Sequence, residues 1–295
     1  MLHLVRELLS WQVQPRVPEP DLVMQNPSQV EAFMEAGSEN GVLAFLYLYH
    51  ALQITSIVQP GDRVLDLACG PANQLAQIAR LNPDSNFVGL DASANMLDRA
   101  RSTLARVGVD NVELVAGDMT RLTGVADVSM DCVICTMSLH HLPDLAALSS
   151  TISEVRRVLK RGGGLYLVDF GRLKHASTQR FFSTDLHQSA QFTQDYFHSL
   201  RAAFSVDELS RAVAVLGFDV VRYVTPLAPF IVVFKSTINR KLDPSTQQRA
   251  QELYERMSIE RQKNFRGLAA WFGAGGYFLP CQFLSPHRID RGLGI

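Results

Sequence analysis

A histidine pair and four spaced aspartates are the residues whose types could do chemistry. The run Ser138-Leu139-His140-His141-Leu142-Pro143-Asp144 sets two imidazoles side by side, and Asp169 closes an apolar run further on. An imidazole accepts a proton near neutrality. A positioned base speeds attack by a hydroxyl roughly 10²–10⁴-fold. Asp169 could orient one ring, and Asp144 reads as a helix cap. Upstream, Asp66 is followed by Ala68-Cys69-Gly70-Pro71-Ala72, and Asp91 comes 25 residues after Asp66. The small residues let backbone approach a ligand closely, or serve strand–helix packing alone. Asp91 could accept both hydroxyls of a ribose, a charged contact contributing about 1.5–3 kcal/mol. It could equally cap a helix starting near Ala92.

The elements that must position these residues alternate regularly. Apolar runs predict strands at Arg63–Ala68, Asn86–Leu90, Val112–Ala116, Met130–Thr136 and Gly164–Phe170. Helical spacing predicts helices near 72–81, 93–106 and 144–160. Such alternation means a parallel sheet covered on both faces. A helix over Phe204–Leu216 ends at Gly217. Two close strands, Phe218–Val224 and Pro229–Lys235, must then be antiparallel. The expected fold is therefore α/β and doubly wound. Its seven-stranded sheet is mainly parallel, with the last strand antiparallel. The expected organisation is a helical cap over 1–59, broken by the prolines of VQPRVPEP. A core over 60–236 carries a substrate-covering insertion at 172–203, and a helical C-terminal extension follows over 237–295. Ligands of such sheets sit beyond the carboxyl ends of the strands, where the aspartates lie. A dinucleotide wants G-x-G-x-x-G. Here Ala68 and Ala72 fill glycine positions, and Asp66 would repel a pyrophosphate but suit an ammonium group. S-adenosylmethionine fits better than NAD.

Five segments jointly carry a resemblance: VLDLACGPA, GLDAS, AGDM at Ala116–Met119, CVICTMSLHHLPD and LKRGGGLYLVDF. In order over about 62–236, they resemble the class I S-adenosylmethionine-dependent methyltransferases. The resemblance implies that Asp66, Ala68 and Gly70 line the amino-acid end of the cofactor and that Asp91 holds the ribose. Ala92 then meets the adenine edge, Asp118 and Met119 meet its amino group and ring, and Met96 joins the cofactor-binding set. Thr136 and Ser138 lie beside the sulfonium. Ala72 departs from the family pattern, where many members have a third glycine. His140, His141 and Asp169 resemble the catalytic residues of sugar and natural-product O-methyltransferases of the class. Members acting on carbon or nitrogen carry the same turn, where it shapes a loop.

The acceptor pocket is expected under 1–59 and 172–203, with Tyr47, His175, His187 and Tyr196 as substrate contacts and Gly37 with Tyr47 covering the cofactor. Tyr49, His50 and His198 are weaker candidates. Cys132-Val-Ile-Cys135 has metal-like spacing but lies within a strand and lacks a second pair, so no metal is expected. The chain has 295 residues, 28 Lys+Arg against 29 Asp+Glu and a net charge of -1, which gives no footprint for nucleic acid. Four cysteines do not suggest a disulfide framework, MLHLVRELLS is unlike a secretory leader, and Val42–Val58 is broken by polar residues. A cytoplasmic protein without membrane association is expected. The charged run 248–263 reads as a solvated helix face, and the apolar stretch 268–279 must bury on its own core or across a homodimer. The expected function is methyl transfer to a small molecule, a specialised metabolite or short peptide, with oxygen favoured over nitrogen or carbon. An NAD(P)-dependent oxidoreductase and a non-catalytic scaffold are the other classes.

Overall fold

The computed structural model describes residues 2–11, 13–21 and 23–281. Its centre is a seven-stranded sheet in the order β3-β2-β1-β4-β5-β7-β6. The strands are β1 (Arg63–Leu67), β2 (Asn86–Asp91), β3 (Val112–Ala116), β4 (Met130–Thr136), β5 (Leu159–Phe170), β6 (Val220–Val224) and β7 (Ile231–Ser236). Strands β1 to β5 run parallel, and β7 lies antiparallel between β5 and β6. Winding runs outward from β1 to β3 and then restarts at β4 beside β1. The crevice that binds ligands in such sheets therefore opens at the carboxyl ends of β1 and β4.

Both faces of the sheet are buried, and side chains alternate between them. Val64, Ile134, Tyr166 and Val168 pack with helices α3 (Ala44–Thr55), α4 (Asn73–Leu81), α5 (Ala94–Val107), α10 (Pro244–Arg256) and α11 (Ile259–Ala274). Leu65, Val133, Leu165 and Leu167 pack with α6 (Leu145–Val158) and α9 (Val206–Ala214). Cys132 and Cys135 fall on opposite faces, as an odd separation along a strand requires. They cannot share a metal ion.

Three local expectations need correction. Strand β5 begins at Leu159, inside the stretch expected to be helix or loop. Glycine permits this, since a Cβ on Gly163 would stand 2.7 Å from the Asp131 carbonyl oxygen. The break after α1 (Leu2–Leu9) runs to α2 (Pro27–Ala36), well past the prolines. Its backbone bonds outward, Val17 N to Arg201 O at 3.0 Å, which no local pattern announces. The charged run is two helices, with Ser258 capping α11 and Arg261 buried.

The insertion forms α7 (Ala176–Ser183) and α8 (Ala190–Ala202). Of the apolar stretch after 267, Leu268, Phe272 and Tyr277 bury on the chain's own core, while Phe278 stays exposed. Phe272 stacks on Tyr49 at 5.1 Å, and Tyr277 Oη lies 3.3 Å from Tyr166 Oη. Residues 282–295, the end of the expected extension, lie outside the described residues. Among those described, no helix is long and apolar enough to cross a membrane.

Candidate active site

A cavity of about 500 Å³ opens at the carboxyl ends of β1, β2 and β4. Its floor is the loop after β1, where Ala68, Gly70 and Ala72 all take left-handed conformations, with φ of 58°, 54° and 59°. The two alanines thus keep a glycine-like backbone despite their methyl groups. Asp91 holds this loop: Oδ2 accepts the Gly70 amide at 2.8 Å, while Oδ1 accepts the Ser93 amide at 2.8 Å. The cap of α5 is Ser93, whose Oγ takes the Met96 amide. Asp91 is therefore no helix cap, and each of its oxygens keeps one lone pair for a ligand.

Asp66 is 4% exposed, and its Oδ1 is buried without a hydrogen-bond partner. Burial, then the neighbouring Asp91 charge, pushes its pKa well above the carboxylate range. Ala92, Met96, Asp118, Met119 and Thr136 line the same cavity with Asp66, Ala68, Gly70 and Asp91, whereas Gly37 does not line it. Thr136 Oγ1 donates to Gln74 Oε1 at 2.5 Å. Tyr47 also lines it. Gly37 lies against Tyr47 and Asn73, since a Cβ there would stand 2.7 Å from Asn73 Nδ2 and 3.2 Å from the Tyr47 ring.

The histidine pair forms a single tight turn after β4. His140 Nδ1 lies 2.6 Å from Asp169 Oδ1, and its amide donates to Asp169 Oδ2 at 2.8 Å. Burial disfavours the imidazolium, but Asp169 and then Glu19 outweigh it and raise the His140 pKa. His141 Nδ1 is bonded by Glu19, whose other oxygen accepts from Ser199 Oγ at 2.6 Å. Burial would raise the Glu19 pKa, yet these bonds bring it to about 2. Glu19 Oε1 also stands 4.0 Å from His140 Nε2. The two rings are 4.3 Å apart.

Glu19 arrives on the irregular stretch Val17-Pro18-Glu19-Pro20, and Arg16 fastens that stretch. The Arg16 guanidinium donates to the carbonyls of His140 (3.1 Å), Leu142, Pro143 (2.5 Å) and Ala202 (2.7 Å), and lies 4.0 Å over the Phe204 ring. Neither residue was expected at the site. A charged residue bracketed by prolines was the available signal. Glu19, His140 and His141 bring three potential ligand atoms within 4.8 Å of one another, a grouping that no spacing in the sequence announces. As it stands, Glu19 and His141 spend those lone pairs and protons on each other.

Helix α8 roofs the other half. Phe192, Asp195, Tyr196 and Ser199 recur at helical spacing and line the cavity with Phe33 and Phe170. Two expected substrate contacts lie elsewhere. The His175 amide is held by buried Glu7 of α1 at 2.9 Å, and exposed His187 pairs with Glu260 of α11 at 3.4 Å. Tyr49 and His50 are core residues, His50 bonding Tyr166 Oη at 2.6 Å. His198 does not line the cavity.

Comparison with known proteins agrees with this geometry. Residues 59–221, more than half of the chain, match a family model described as a methyltransferase domain. A demethylmenaquinone methyltransferase of Listeria monocytogenes is 36% identical over 113 residues, 38% of this chain and 46% of that protein. A 37.1 kDa protein encoded in a Streptomyces fradiae transposon is 36% identical over 110 residues, 37% of this chain and 30% of that protein. The aligned stretches thus span less than half the length of these curated relatives. A SAM-dependent methyltransferase from Aquifex aeolicus shares the fold at a TM-score of 0.52 and 16% identity, over 72% of this chain and 99% of that one.

Proposed function

The chain belongs to the methyltransferase-domain family, and from that premise we propose that it methylates a hydroxyl oxygen of a small molecule, with His140 as base. The methyl donor is S-adenosylmethionine. Its fit rests on Asp66, a buried carboxylate lining the cavity with an unpartnered oxygen. An ammonium group is the natural occupant of that position, since an unpaired buried charge is costly. Asp66, Ala68 and Gly70 would hold the amino-acid end and Asp91 the ribose. Ala92, Met96, Asp118 and Met119 would hold the adenine. Thr136 would face the sulfonium.

When bound, the donor supplies an electrophilic methyl carbon. The chain's own contribution begins with alignment, which is worth several kcal/mol in such a displacement. The observation that carries the reading is the His140–Asp169 pair at 2.6 Å. Asp169 accepts a hydrogen bond from Nδ1–H, which fixes the ring and leaves the Nε2 lone pair to accept the hydroxyl proton. The resulting imidazolium is then flanked by Asp169 and Glu19. The segments 1–59 and 172–203 supply Phe33, Tyr47, Phe192 and Tyr196 as a roof that excludes water. Four free thiols suit a reducing, cytoplasmic setting.

The test is calorimetric titration of S-adenosylhomocysteine into the wild type and Asp66→Asn, with a labelled-methyl assay of His140→Ala. Weaker binding in the first variant and a turnover loss of at least 10²-fold at unchanged binding in the second are expected. Equal turnover by His140→Ala removes the base role. The Listeria relative's name supports a second reading, in which the acceptor is a demethylmenaquinone.

A further inference from the structure

The charge around the cavity is one-sided. Its lining includes Asp66, Asp91, Asp118 and Asp195, and no lysine or arginine among the described residues. The first three sit at the sheet edge. Asp195 sits apart, on α8 in the acceptor half, and the cofactor reading does not use it.

Its surroundings are aromatic and lead to the base. On α8, Phe192 and Tyr196 flank Asp195, their rings 5.8 Å apart. Phe33 lies 6.4 Å from Phe192, Phe170 lies 5.3 Å from Tyr196, and the His140 ring lies 5.2 Å from Phe170. A chain of ring contacts thus runs from Phe33 through Phe192, Tyr196 and Phe170 to His140, in the cavity that Asp195 also lines.

The hydrogen bonds of Asp195 do not account for its charge. Oδ1 accepts from Gln29 Nε2 at 3.2 Å and Gln191 Nε2 at 3.0 Å, and Oδ2 accepts from Gln191 Nε2 at 3.1 Å. Both donors are neutral amides, and they tie α8 to α2 and to its own preceding turn. An asparagine oxygen would serve the same links. A carboxylate held by neutral donors in a cavity lined with aromatic rings is the chemistry that binds an organic cation.

Building on the methyl-transfer reading, we propose that the acceptor binds as a cation, its ammonium group held by Asp195 against Phe192 and Tyr196 while its nucleophilic atom lies toward His140. Acceptors bearing a carboxylate or phosphate at that end are rejected by the same charge.

The test is calorimetry on protein saturated with S-adenosylhomocysteine. Three phenols of matched size serve as probes: tyramine, 4-hydroxyphenethyl alcohol and 4-hydroxyphenylacetate. Tyramine is expected to bind at least tenfold tighter than the acid, with the alcohol between them. Asp195→Asn is expected to shrink that gap to about twofold without changing affinity for S-adenosylhomocysteine. Equal or reversed affinities, a gap unmoved by the variant, or no binding of any probe to the saturated protein overturns the proposal. The wild-type order decides even if the variant does not fold. Tightest binding of the neutral alcohol favours a neutral acceptor such as a quinol instead. Failure of the wild type to take up S-adenosylhomocysteine is a separate result, and it rejects the methyl-transfer reading itself.

Discussion

Asp169 grips His140 twice, through the ring at 2.6 Å and through the backbone amide at 2.8 Å. One carboxylate at the end of β5 therefore fixes both the side chain and the turn that carries it. Its first oxygen also accepts the Phe170 amide at 2.6 Å, so the carboxylate is itself held in place. Three hydrogen bonds on two oxygens fix the carboxylate and give the imidazole a single orientation.

The pH dependence of turnover follows from that pair. The base must be neutral, and His140 has a raised pKa because Asp169 and Glu19 outweigh its burial. Turnover is therefore expected to rise with pH through an inflection above the ordinary histidine value of about 6.5. Asp169→Asn removes the larger opposing charge and leaves burial dominant, so the inflection moves to lower pH. The plateau is expected to fall about 10²-fold, because the tautomer is no longer fixed. In the wild type the pair's stabilising contribution is full below the unfolded pKa and fades as pH rises through the raised value. An inflection that stays in place in Asp169→Asn sinks the assignment.

The half of the site that was readable in sequence is the half built from strand ends. Asp66, Asp91, Asp118, His140 and Asp169 each follow an apolar run, and a parallel sheet places the ends of such runs along one edge. Glu19 and Asp195 were not readable. Glu19 reaches His141 across 122 positions, and Asp195 becomes a wall residue only because α8 folds back over the cavity. Composition and periodicity carry no record of such contacts. His175 and His187 have a residue type that suits a pocket, but they lie away from the cavity, the His175 backbone amide held by Glu7 and the His187 ring paired with Glu260. Similarly, β5 was expected five residues late because Lys160-Arg161-Gly162-Gly163 lacks apolar side chains, although its backbone pairs from Leu159 beside Met130.

Arg16 should matter more to the histidine turn than its surface-like neighbourhood suggests. It bonds four carbonyls, three of them in the run His140–Pro143. Charged hydrogen bonds contribute roughly 1.5–3 kcal/mol each, less where partly exposed. Arg16→Ala is expected to cost about 2 kcal/mol by denaturant unfolding and to speed amide exchange at Leu142. Exchange unchanged at that amide would show that the turn stands without the strap.

Chelation should leave turnover intact. Glu19 and His141 are bonded to each other, and Ser199 donates to the second Glu19 oxygen, so two of the three groups have partners without an ion, while His140 Nε2 keeps its lone pair for the acceptor's proton. Dialysis against EDTA is expected to change kcat less than twofold. Loss of turnover restored by one divalent cation would instead make Glu19, His140 and His141 its ligands.

His50 should make the fold sensitive to acid. It is 0% exposed, and burial lowers its pKa to about 3. A depressed folded pKa means full stability above the unfolded value of about 6.5 and a decline as pH falls toward the folded one. At one pKa unit per 1.36 kcal/mol, roughly 2–3 kcal/mol is lost by about pH 4.5. His50→Asn can still accept from Tyr166 and carries no titratable group. Its unfolding free energy should fall less steeply with acid over that window, and an equal slope would place the acid sensitivity elsewhere.

The loop after β1 offers a final test, because Ala68 and Ala72 share a strained backbone but differ in packing. Each has φ near +60°, 58° and 59° respectively, a conformation that costs a residue with a Cβ about 1–2 kcal/mol. Glycine removes that strain but adds unfolded-chain entropy of roughly 0.5–1 kcal/mol. Ala68 is only partly buried, so Ala68→Gly should gain up to about 1 kcal/mol, a Tm rise of roughly 2–4 °C. The Ala72 methyl is 0% exposed, and losing it costs about 0.8 kcal/mol of burial. Ala72→Gly should therefore be close to neutral. Thermal unfolding of the two variants side by side checks the difference, and a larger gain at 72 than at 68 would mean that packing around this loop opposes its conformation.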